Sequence, residues 1–249
     1  MPGATVPSNP AVPVGNRLLA ALPHKDREQF LVHCEPIELH FAQEIYCSGE
    51  VIPHIYFPTG SYISLVTPIS GSTGLEVGLV GNEGMLGMTL LLGVDIAPFH
   101  AVVQGAGPAL RIATPMFLQQ LKHSAALHQL LKRYLFVAMS QLSQRTVCTR
   151  FHMVEARLAC WLLMTQDRAH SIHFHATHVF LAYMLGVRRV GITKAANSLQ
   201  QKKLISYHRG DITILDRAGL EAESCGCYRT DKEIYERILG CQDSEAVTT

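Results

Sequence analysis

A run of basic side chains in the C-terminal half is the part of the sequence with the clearest chemistry. From Arg168 to Gly210 the chain has no Asp or Glu but seven Lys and Arg residues, whereas the whole chain has a formal net charge of only +1. Such segregated charge attracts a polyanion, because each neutralised phosphate releases counterions. Charge alone also allows an ordinary solvated helix face. The seven residues are Arg168, Arg188, Arg189, Lys194, Lys202, Lys203 and Arg209.

The apolar residues around these charges predict two short helices joined by a turn. Thr177 can cap a first helix whose apolar positions between 180 and 185 share one face, and Gly186 supplies the turn. A second helix then begins near Arg188. This spacing matches a helix-turn-helix, whose second helix enters the major groove N-terminus first. The residues of the second helix predicted to pack inward are Ile192, Ala195, Ala196 and Leu199.

A hairpin is predicted directly after the second helix. Residues 204–216, LISYHRGDITILD, alternate apolar and polar side chains around Arg209-Gly210-Asp211, which is typical of a tight turn between two strands. The whole segment therefore has the layout of a winged helix. The candidate DNA-binding residues are Thr177, Arg188, Arg189, Gly191, Thr193, Lys194, Asn197, Lys202, His208 and Arg209.

Turn-forming residues divide the chain into a β-rich half and a helical half. Between Glu38 and Ile112, short runs rich in Ile, Val, Tyr and Phe alternate with Gly, Pro, Ser or Asn, which predicts a closed or double-sheet roll. From Met116 to Leu185 there is neither Gly nor Pro, which permits long helices. A stripe of helical spacing there predicts a seam, either within one domain or between two chains. It comprises Leu131, Leu135, Ala138, Leu142 and Thr149.

This order of elements resembles the Crp/Fnr family of bacterial transcription regulators. The most specific part is LGVRRVGITKA at 185–195, followed by the wing and GLEAESCGCY at 219–228, while NRLLAALP at 16–23 and VGNEG at 80–84 are weaker matches. The resemblance implies a cytoplasmic homodimer that binds a two-fold-symmetric site on double-stranded DNA, touches RNA polymerase and is not an enzyme.

The resemblance also implies an α+β fold with four parts. We expect an N-terminal double-stranded, jelly-roll-like β-roll, a long dimerisation helix and a C-terminal winged helix-turn-helix. The predicted boundaries are a flexible arm at 1–15, the β-roll sensor domain at 16–126, the dimerisation helix at 127–165 and the DNA-binding domain with a C-terminal extension at 166–249.

Carried over to this sequence, the resemblance assigns roles to three of the candidate residues. Arg189 and Lys194 fall on positions that contact bases or nearby phosphates, and Arg189 suits guanine because its planar fork satisfies two acceptors. Thr177 matches a threonine at a helix start that can hold a phosphate. Val190 stands where many members have a cytosine-reading glutamate, so the preferred DNA site should differ. At 178–180, HVF replaces a run that usually contains Gln or Glu.

The candidate effector pocket is formed by Gly81, Glu83, Gly84 and His100. In cyclic-nucleotide-binding relatives, a glycine-glutamate pair holds the ribose, which the first three resemble. Phe99 and His100 stand where an arginine and a hydroxyl would grip the phosphate, and an anion without a charged partner loses its strongest contact. We therefore expect an unknown small-molecule effector, or constitutive DNA binding, with a cyclic-nucleotide-responsive regulator as the alternative.

No cofactor is predicted, although some residues leave haem or metal open. One axial haem ligand could come from His33, His40, His54 or His100, and the run His170, His173, His175 and His178 has enough nitrogens for zinc. Seven scattered cysteines without a CxxC pair, in a chain without an export signal, indicate reduced thiols. We expect Cys225 and Cys227 to pack at a helix end, with redox activity as the alternative.

Two other classes of protein compete with a DNA-binding regulator. An enzyme on a metal-binding β-roll would need paired histidines and a carboxylate on neighbouring strands, and no HxH with a following Glu occurs between residues 38 and 112. A winged helix that binds protein instead of DNA would bind with little dependence on salt. No membrane partner is expected, because no apolar run approaches the roughly 20 residues that cross a bilayer.

Overall fold

The computed structural model describes residues 15–69 and 72–240. The predicted arm at 1–15 lies outside these residues, apart from Gly15. Among the described helices, none combines the length and the apolar character that crossing a bilayer requires.

Two antiparallel sheets build the N-terminal half. Their strands are β1 (Glu35–Leu39), β2 (Glu44–Tyr46), β3 (His54–Pro58), β4 (Tyr62–Ile69), β5 (Ser72–Val80), β6 (His100–Gly105) and β7 (Gly107–Ala113). One sheet has the strand order β1-β7-β3 and the other the order β2-β6-β4-β5. Inward-facing aliphatic and aromatic residues of both sheets share one core. The predicted double-sheet roll is confirmed.

Short helices close the roll around an aromatic cluster. Helices α1 (Arg17–Ala20), α2 (His24–Leu31) and α3 (Thr114–His123) flank the sheets. The ring centroid of Phe30 lies 5.5 Å from that of Phe57 and 6.4 Å from that of Phe117, in edge-to-face contacts. The buried Asn16 side chain caps α1 and donates to the carbonyl oxygens of Pro58 and Gly84, both at 2.9 Å. Asn16, the first residue of the NRLLAALP motif, therefore attaches α1 to the β-roll.

Helix α4 (Ala125–Phe151) has one face on its own chain and one that is exposed. Leu131 and Ala138, from the stripe predicted in the sequence, are buried, so this part of the stripe packs internally. The opposite face instead exposes large apolar side chains at helical spacing. These are Phe136, Met139, Val147 and Phe151.

The single helix expected at 127–165 is two helices, which corrects the sequence prediction. Helix α5 (Val154–Ala169) follows α4 after His152 and Met153, whose backbones are both extended. Neither residue is Gly or Pro, so the usual signal of a helix end is missing. The break turns the apolar face of α5 toward the C-terminal core, where Leu158, Trp161 and Leu162 are buried.

The C-terminal half forms a winged helix-turn-helix. Its elements after α5 are β8 (His173–His175), α6 (His178–Leu185), α7 (Arg189–Gln201), β9 (Ile205–His208), β10 (Asp211–Ile214), α8 (Arg217–Glu223) and α9 (Cys227–Leu239). The strands form a sheet with the order β8-β10-β9. Because α5 belongs to this core, the predicted boundary between residues 165 and 166 cuts through the packed unit, which begins instead near residue 154.

The last helix returns to the β-roll. Tyr235 and Leu239 of α9 are buried in the core of the roll, and the Tyr235 hydroxyl donates to the Glu83 carbonyl at 3.0 Å. Arg17 also pairs with Glu236 at 2.9 Å. The C-terminal extension therefore connects the winged helix to the N-terminal half, which the predicted domain division did not anticipate.

Candidate nucleic-acid interface

The turn between α6 and α7 has the geometry that the sequence predicts. The Thr177 side chain caps α6 by accepting a hydrogen bond from the Phe180 backbone N–H at 3.2 Å. Gly186 ends the helix with φ +61°, a left-handed conformation that a glycine adopts without strain. Arg188 then occupies the N-cap position of α7. The two helices are thus fixed by local sequence.

Helix α7 presents one buried and one exposed face. The four residues predicted to pack inward, Ile192, Ala195, Ala196 and Leu199, are all buried. On the other side, Val190, Lys194 and Asn197 follow at steps of four and three and are exposed. Gly191 lies half-buried at the flank, where an added Cβ would be 4.0 Å from Val154 of α5. The exposed face begins at the N-terminal end of the helix.

Five basic side chains surround this face without an ion-pair partner among the described residues. All five are exposed, and their charges are therefore available to an external anion. Arg188 and Arg189 lie at the start of α7, and Lys203 and Arg209 lie beyond its end. The five are Arg188, Arg189, Lys194, Lys203 and Arg209.

Two of the seven predicted cations are used inside the molecule. Lys202 Nζ lies 2.8 Å from a Glu155 carboxylate oxygen and 2.7 Å from one of Glu223. The DNA contact predicted for Lys202 would compete with these two ion pairs. These two hydrogen bonds raise the pKa of Lys202. Arg168 is buried and pairs with Glu83 at 2.7 Å. The carboxylates that pair with Lys202 and Arg168 lie far from them in the sequence. The charge pattern alone therefore could not distinguish these two cations from the five unpaired ones.

Thr193 of α7 and His178 of α6 link the two helices. Thr193 Oγ donates to the Arg189 carbonyl at 3.1 Å and also lies 3.1 Å from His178 Nδ1, so its hydroxyl already has two partners inside the protein. The His178 ring stacks on Tyr207 with centroids 4.4 Å apart. Burial, and to a smaller extent the Arg189 charge, lowers the pKa of His178. Sequence reasoning missed this role, because His178 appeared there as part of the histidine run and of the HVF departure at 178–180.

The wing is the hairpin β9–β10 with its tip at 208–210. Arg209 has φ +51° and Gly210 has φ +98°, the two positive values of a tight hairpin turn. A Cβ on Gly210 would lie 2.5 Å from His175 Cε1. His208 and Arg209 are exposed at the tip, where the sequence placed them. His175 Nδ1 on β8 lies 2.8 Å from an Asp211 carboxylate oxygen on β10, so this pair links the two neighbouring strands.

The predicted effector-pocket residues do not converge on one cavity. Glu83 turns toward Arg168 of α5, and the same guanidinium side chain fills the space beside Gly81. Gly84 gives room to the Tyr134 hydroxyl, with which a Cβ at this position would clash. His100 lies apart, 3.9 Å from Glu44 on β2. We correct the candidate pocket accordingly: the glycines and Glu83 pack the roll against α4 and α5.

A different recess opens between the β-roll and α4. Its volume is about 710 Å³ including its mouth, and its walls are mostly apolar. From α4, Tyr134, Ala138 and Leu142 contribute to the wall, and Arg145 and Asp231 supply polar groups. Burial raises the pKa of Asp231 to about 6. Any molecule in this recess would touch both the roll and the helix that carries the exposed apolar stripe.

The hairpin β4–β5 joins the roll to the winged helix. Trp161 Nε1 of α5 donates to a buried Glu76 oxygen at 3.0 Å, and Ser64 Oγ donates to the other oxygen at 2.7 Å. Burial raises the pKa of Glu76, while the Arg145 charge and these hydrogen bonds oppose that rise. Leu75 contacts the turn at Gly186. The roll therefore touches the helix-turn-helix directly.

Comparison with known proteins gives one domain match and several structural matches. The family model of the Crp-like helix-turn-helix domain matches residues 156–223, a segment that begins inside α5. The comparison with curated protein sequences gives no match.

Among solved structures, FixK2 from Bradyrhizobium japonicum is 11% identical, and the match covers 77% of this chain and 98% of that chain with a TM-score of 0.64. The c-di-GMP-responsive global regulator CLP of Xanthomonas campestris is 14% identical, with 77% and 99% covered and a TM-score of 0.63. A CRP-family transcriptional regulator from Thermus thermophilus, TTHB099, is 19% identical, with 76% and 96% covered and a TM-score of 0.63. At these identities the likeness is one of fold.

Proposed function

Because residues 156–223 form a Crp-like helix-turn-helix domain within the fold of Crp/Fnr regulators, we propose that this protein is a DNA-binding transcription regulator and not an enzyme. The observation that carries the proposal is the exposed face of α7, around which five basic side chains lie without an internal partner among the described residues. A helix of this kind fits the major groove, and its charge provides the sequence-independent part of the affinity. A protein-binding module would have no need for this concentration of unpaired cations.

We assign base reading to the first turns of α7. Arg189 is exposed there and can form two hydrogen bonds with guanine O6 and N7. Val190 is 59% exposed, so its methyl groups are available to an apolar partner on the DNA. The methyl group of thymine is such a partner in the major groove. Lys194, Asn197 and the wing residues His208 and Arg209 then supply further base or phosphate contacts.

The proposed active form is a homodimer. Phe136, Met139 and Val147 expose apolar side chains on one face of α4, and burial against a second copy would remove this surface from water. Two-fold symmetry would place two recognition helices about 34 Å apart, which suits successive major grooves of one DNA face. The DNA site is accordingly expected to be two-fold-symmetric.

Effector control is proposed to act through the recess beside α4. A small, mostly apolar molecule there would bias the position of α4 and of the β4–β5 hairpin, which contacts the turn before α7. Cyclic nucleotides are not favoured, because Glu83 is engaged with Arg168. Native mass spectrometry of the freshly purified protein tests this part. A copurifying molecule supports effector control, whereas its absence supports constitutive binding.

The proposed setting is a bacterial promoter in the cytoplasm, where the bound protein contacts RNA polymerase. The deciding experiment measures the affinity of the purified protein for promoter fragments at two salt concentrations. For a DNA-binding regulator, the logarithm of the affinity falls linearly with the logarithm of the salt concentration, with a slope of about −0.9 for each phosphate neutralised. Absence of binding to any duplex at low salt would refute the proposal. Sedimentation of the same sample tests the dimer independently.

A further inference from the structure

Three cysteines and one histidine meet at the junction of α4 with the α8–α9 connection. The ligand atoms of Cys148, His152, Cys225 and Cys227 all lie within 4.8 Å of one another. The three cysteines are buried and the histidine is half-buried. None of the functions proposed above uses this cluster.

Two of the six distances between the ligand atoms are close to the edge lengths of a tetrahedral zinc site. Zinc binds thiolate sulfur at about 2.3 Å and imidazole nitrogen at about 2.0–2.1 Å, so a tetrahedron has S···S edges of about 3.8 Å and S···N edges of about 3.5 Å. Here the Cys148 and Cys225 sulfur atoms are 3.5 Å apart, and Cys227 Sγ lies 3.4 Å from His152 Nδ1. The space suits a single ion and is too narrow for an iron–sulfur cluster.

The backbone brings these four residues together from two rigid segments. Cys148 and His152 are separated by one helical turn at the end of α4, so both side chains lie on the same side. Cys225 and Cys227 flank Gly226, which precedes α9. Gln144, one turn before Cys148, donates from Nε2 to Cys227 Sγ at 3.1 Å. Outer-shell hydrogen bonds of this kind orient the ligands of protein metal sites.

We propose that Cys148, His152, Cys225 and Cys227 form a structural zinc site. Cys₃His is one of the usual donor sets of structural zinc sites, in which four protein ligands leave no open position for catalysis. On binding, the three thiols release protons to solvent and the histidine coordinates as neutral imidazole, so no electrons are exchanged.

The site would tie the end of the proposed dimer helix to the segment that follows the winged helix. Val147 and Phe151 of the exposed stripe lie beside Cys148 and His152 in sequence, and α8 packs on α5 in the winged-helix core. An ion shared by both segments therefore fixes the break at 152–153, about which the DNA-binding domain is oriented.

The test uses full-length protein purified without chelator and in the presence of a mild reductant. Elemental analysis should find one zinc per chain, and substitution with Co²⁺ should give the intense d–d and sulfur charge-transfer absorption of tetrahedral thiolate coordination. Variants Cys225→Ser and Cys148→Ser should lose this metal. Gln144→Leu should lower zinc affinity about 10-fold or more, because only the outer-shell contact is removed.

Two cysteines provide matched controls. Cys34 lies in the β-roll, and Cys160 is a buried thiol on α5 that contacts Cys225 without belonging to the set of four. Cys34→Ser and Cys160→Ala should keep one zinc per chain. A chelator should lower the melting temperature of the wild type and of both controls, and it should have little effect on Cys225→Ser, which has no bound zinc to lose.

Three results would overturn the proposal. They are a metal-free wild-type protein that takes up neither Zn²⁺ nor Co²⁺, a disulfide between Cys148 and Cys225 in peptide maps of the reduced preparation, and loss of metal in Cys160→Ala with retention in His152→Ala. Because metal content is measured without DNA, this proposal and the proposed regulatory function can fail independently.

Discussion

Replacing Lys194 and Lys202 separately by alanine distinguishes a DNA contact from an internal ion pair on the same helix. Lys194 is exposed with no partner among the described residues, whereas Lys202 Nζ lies 2.8 Å from Glu155 and 2.7 Å from Glu223. We predict that only Lys194→Ala changes the salt dependence of DNA binding. The two carboxylates already neutralise Lys202, so it displaces few counterions.

The magnitude follows from counterion release. Each phosphate contact contributes about 0.9 to the slope of log affinity against log salt, and a symmetric dimer loses two contacts, or about 1.8. When the salt concentration rises from roughly 50 to 200 mM, the fold-loss of affinity should therefore be about 10 times smaller for Lys194→Ala than for the wild type. Lys202→Ala should retain the wild-type slope.

Fluorescence anisotropy on one labelled duplex at four or more salt concentrations gives the slopes directly. Circular dichroism before each titration verifies that both variants are folded. If Lys202→Ala reduces the slope as much as Lys194→Ala does, the assignment of Lys202 to internal pairs is wrong.

Three further predictions concern the supports of this surface. The lowered pKa of His178 means that its stabilising contribution is present above about pH 6.5 and is lost as the pH falls through the folded-state value, so His178→Phe should flatten the acid decline of the melting temperature. Gly210→Ala should cost at least about 1 kcal/mol in urea unfolding, because of its φ of +98° and its contact with His175, whereas Gly226→Ala, with open space around it, should be nearly neutral. Phe136→Glu should give a monomer in light scattering and weaken binding to a symmetric site about 100-fold or more, while Leu92→Glu, similarly exposed on the roll, should change neither.

The winged helix could be predicted from sequence because its signals are local. The cap at Thr177, the glycine at 186 and the inward set from Ile192 to Leu199 depend on residues within one or two helical turns. The hairpin at Arg209-Gly210 is likewise encoded by its own turn residues. In each case helix or turn geometry alone decides which side chains face the solvent.

Features that depend on contacts between distant residues could not be predicted. Lys202 appeared free because its partners Glu155 and Glu223 lie far along the chain, and Glu83 resembled a ligand residue until Arg168 of α5 was seen beside it. The break between α4 and α5 carries no Gly or Pro. After the break, the apolar residues of α5 pack in the C-terminal core, a tertiary contact that the local sequence does not show.

The cysteine cluster shows the same limit for the candidate sites. In sequence, Cys225 and Cys227 form only a pair separated by one residue, and Cys148 is a lone thiol on a helix. Folding places α9 against α4 and brings the ligand atoms of Cys148, His152, Cys225 and Cys227 to within 4.8 Å of one another. The histidine run at 170–178 is a metal candidate in the sequence. In the structure, His175 pairs with the Asp211 side chain and His178 contacts the Thr193 side chain.

Base reading by the N-terminal end of α7 is best tested with the variant Arg189→Ala. Affinity should be measured for a duplex selected by the wild-type protein and for a random duplex of equal length, at one salt concentration. We predict a loss of about 1–3 kcal/mol per half-site on the selected duplex, a much smaller loss on random DNA, and a relaxed preference at one base pair. Equal losses on both duplexes would contradict base reading by Arg189 and remove the main support for the proposed interface.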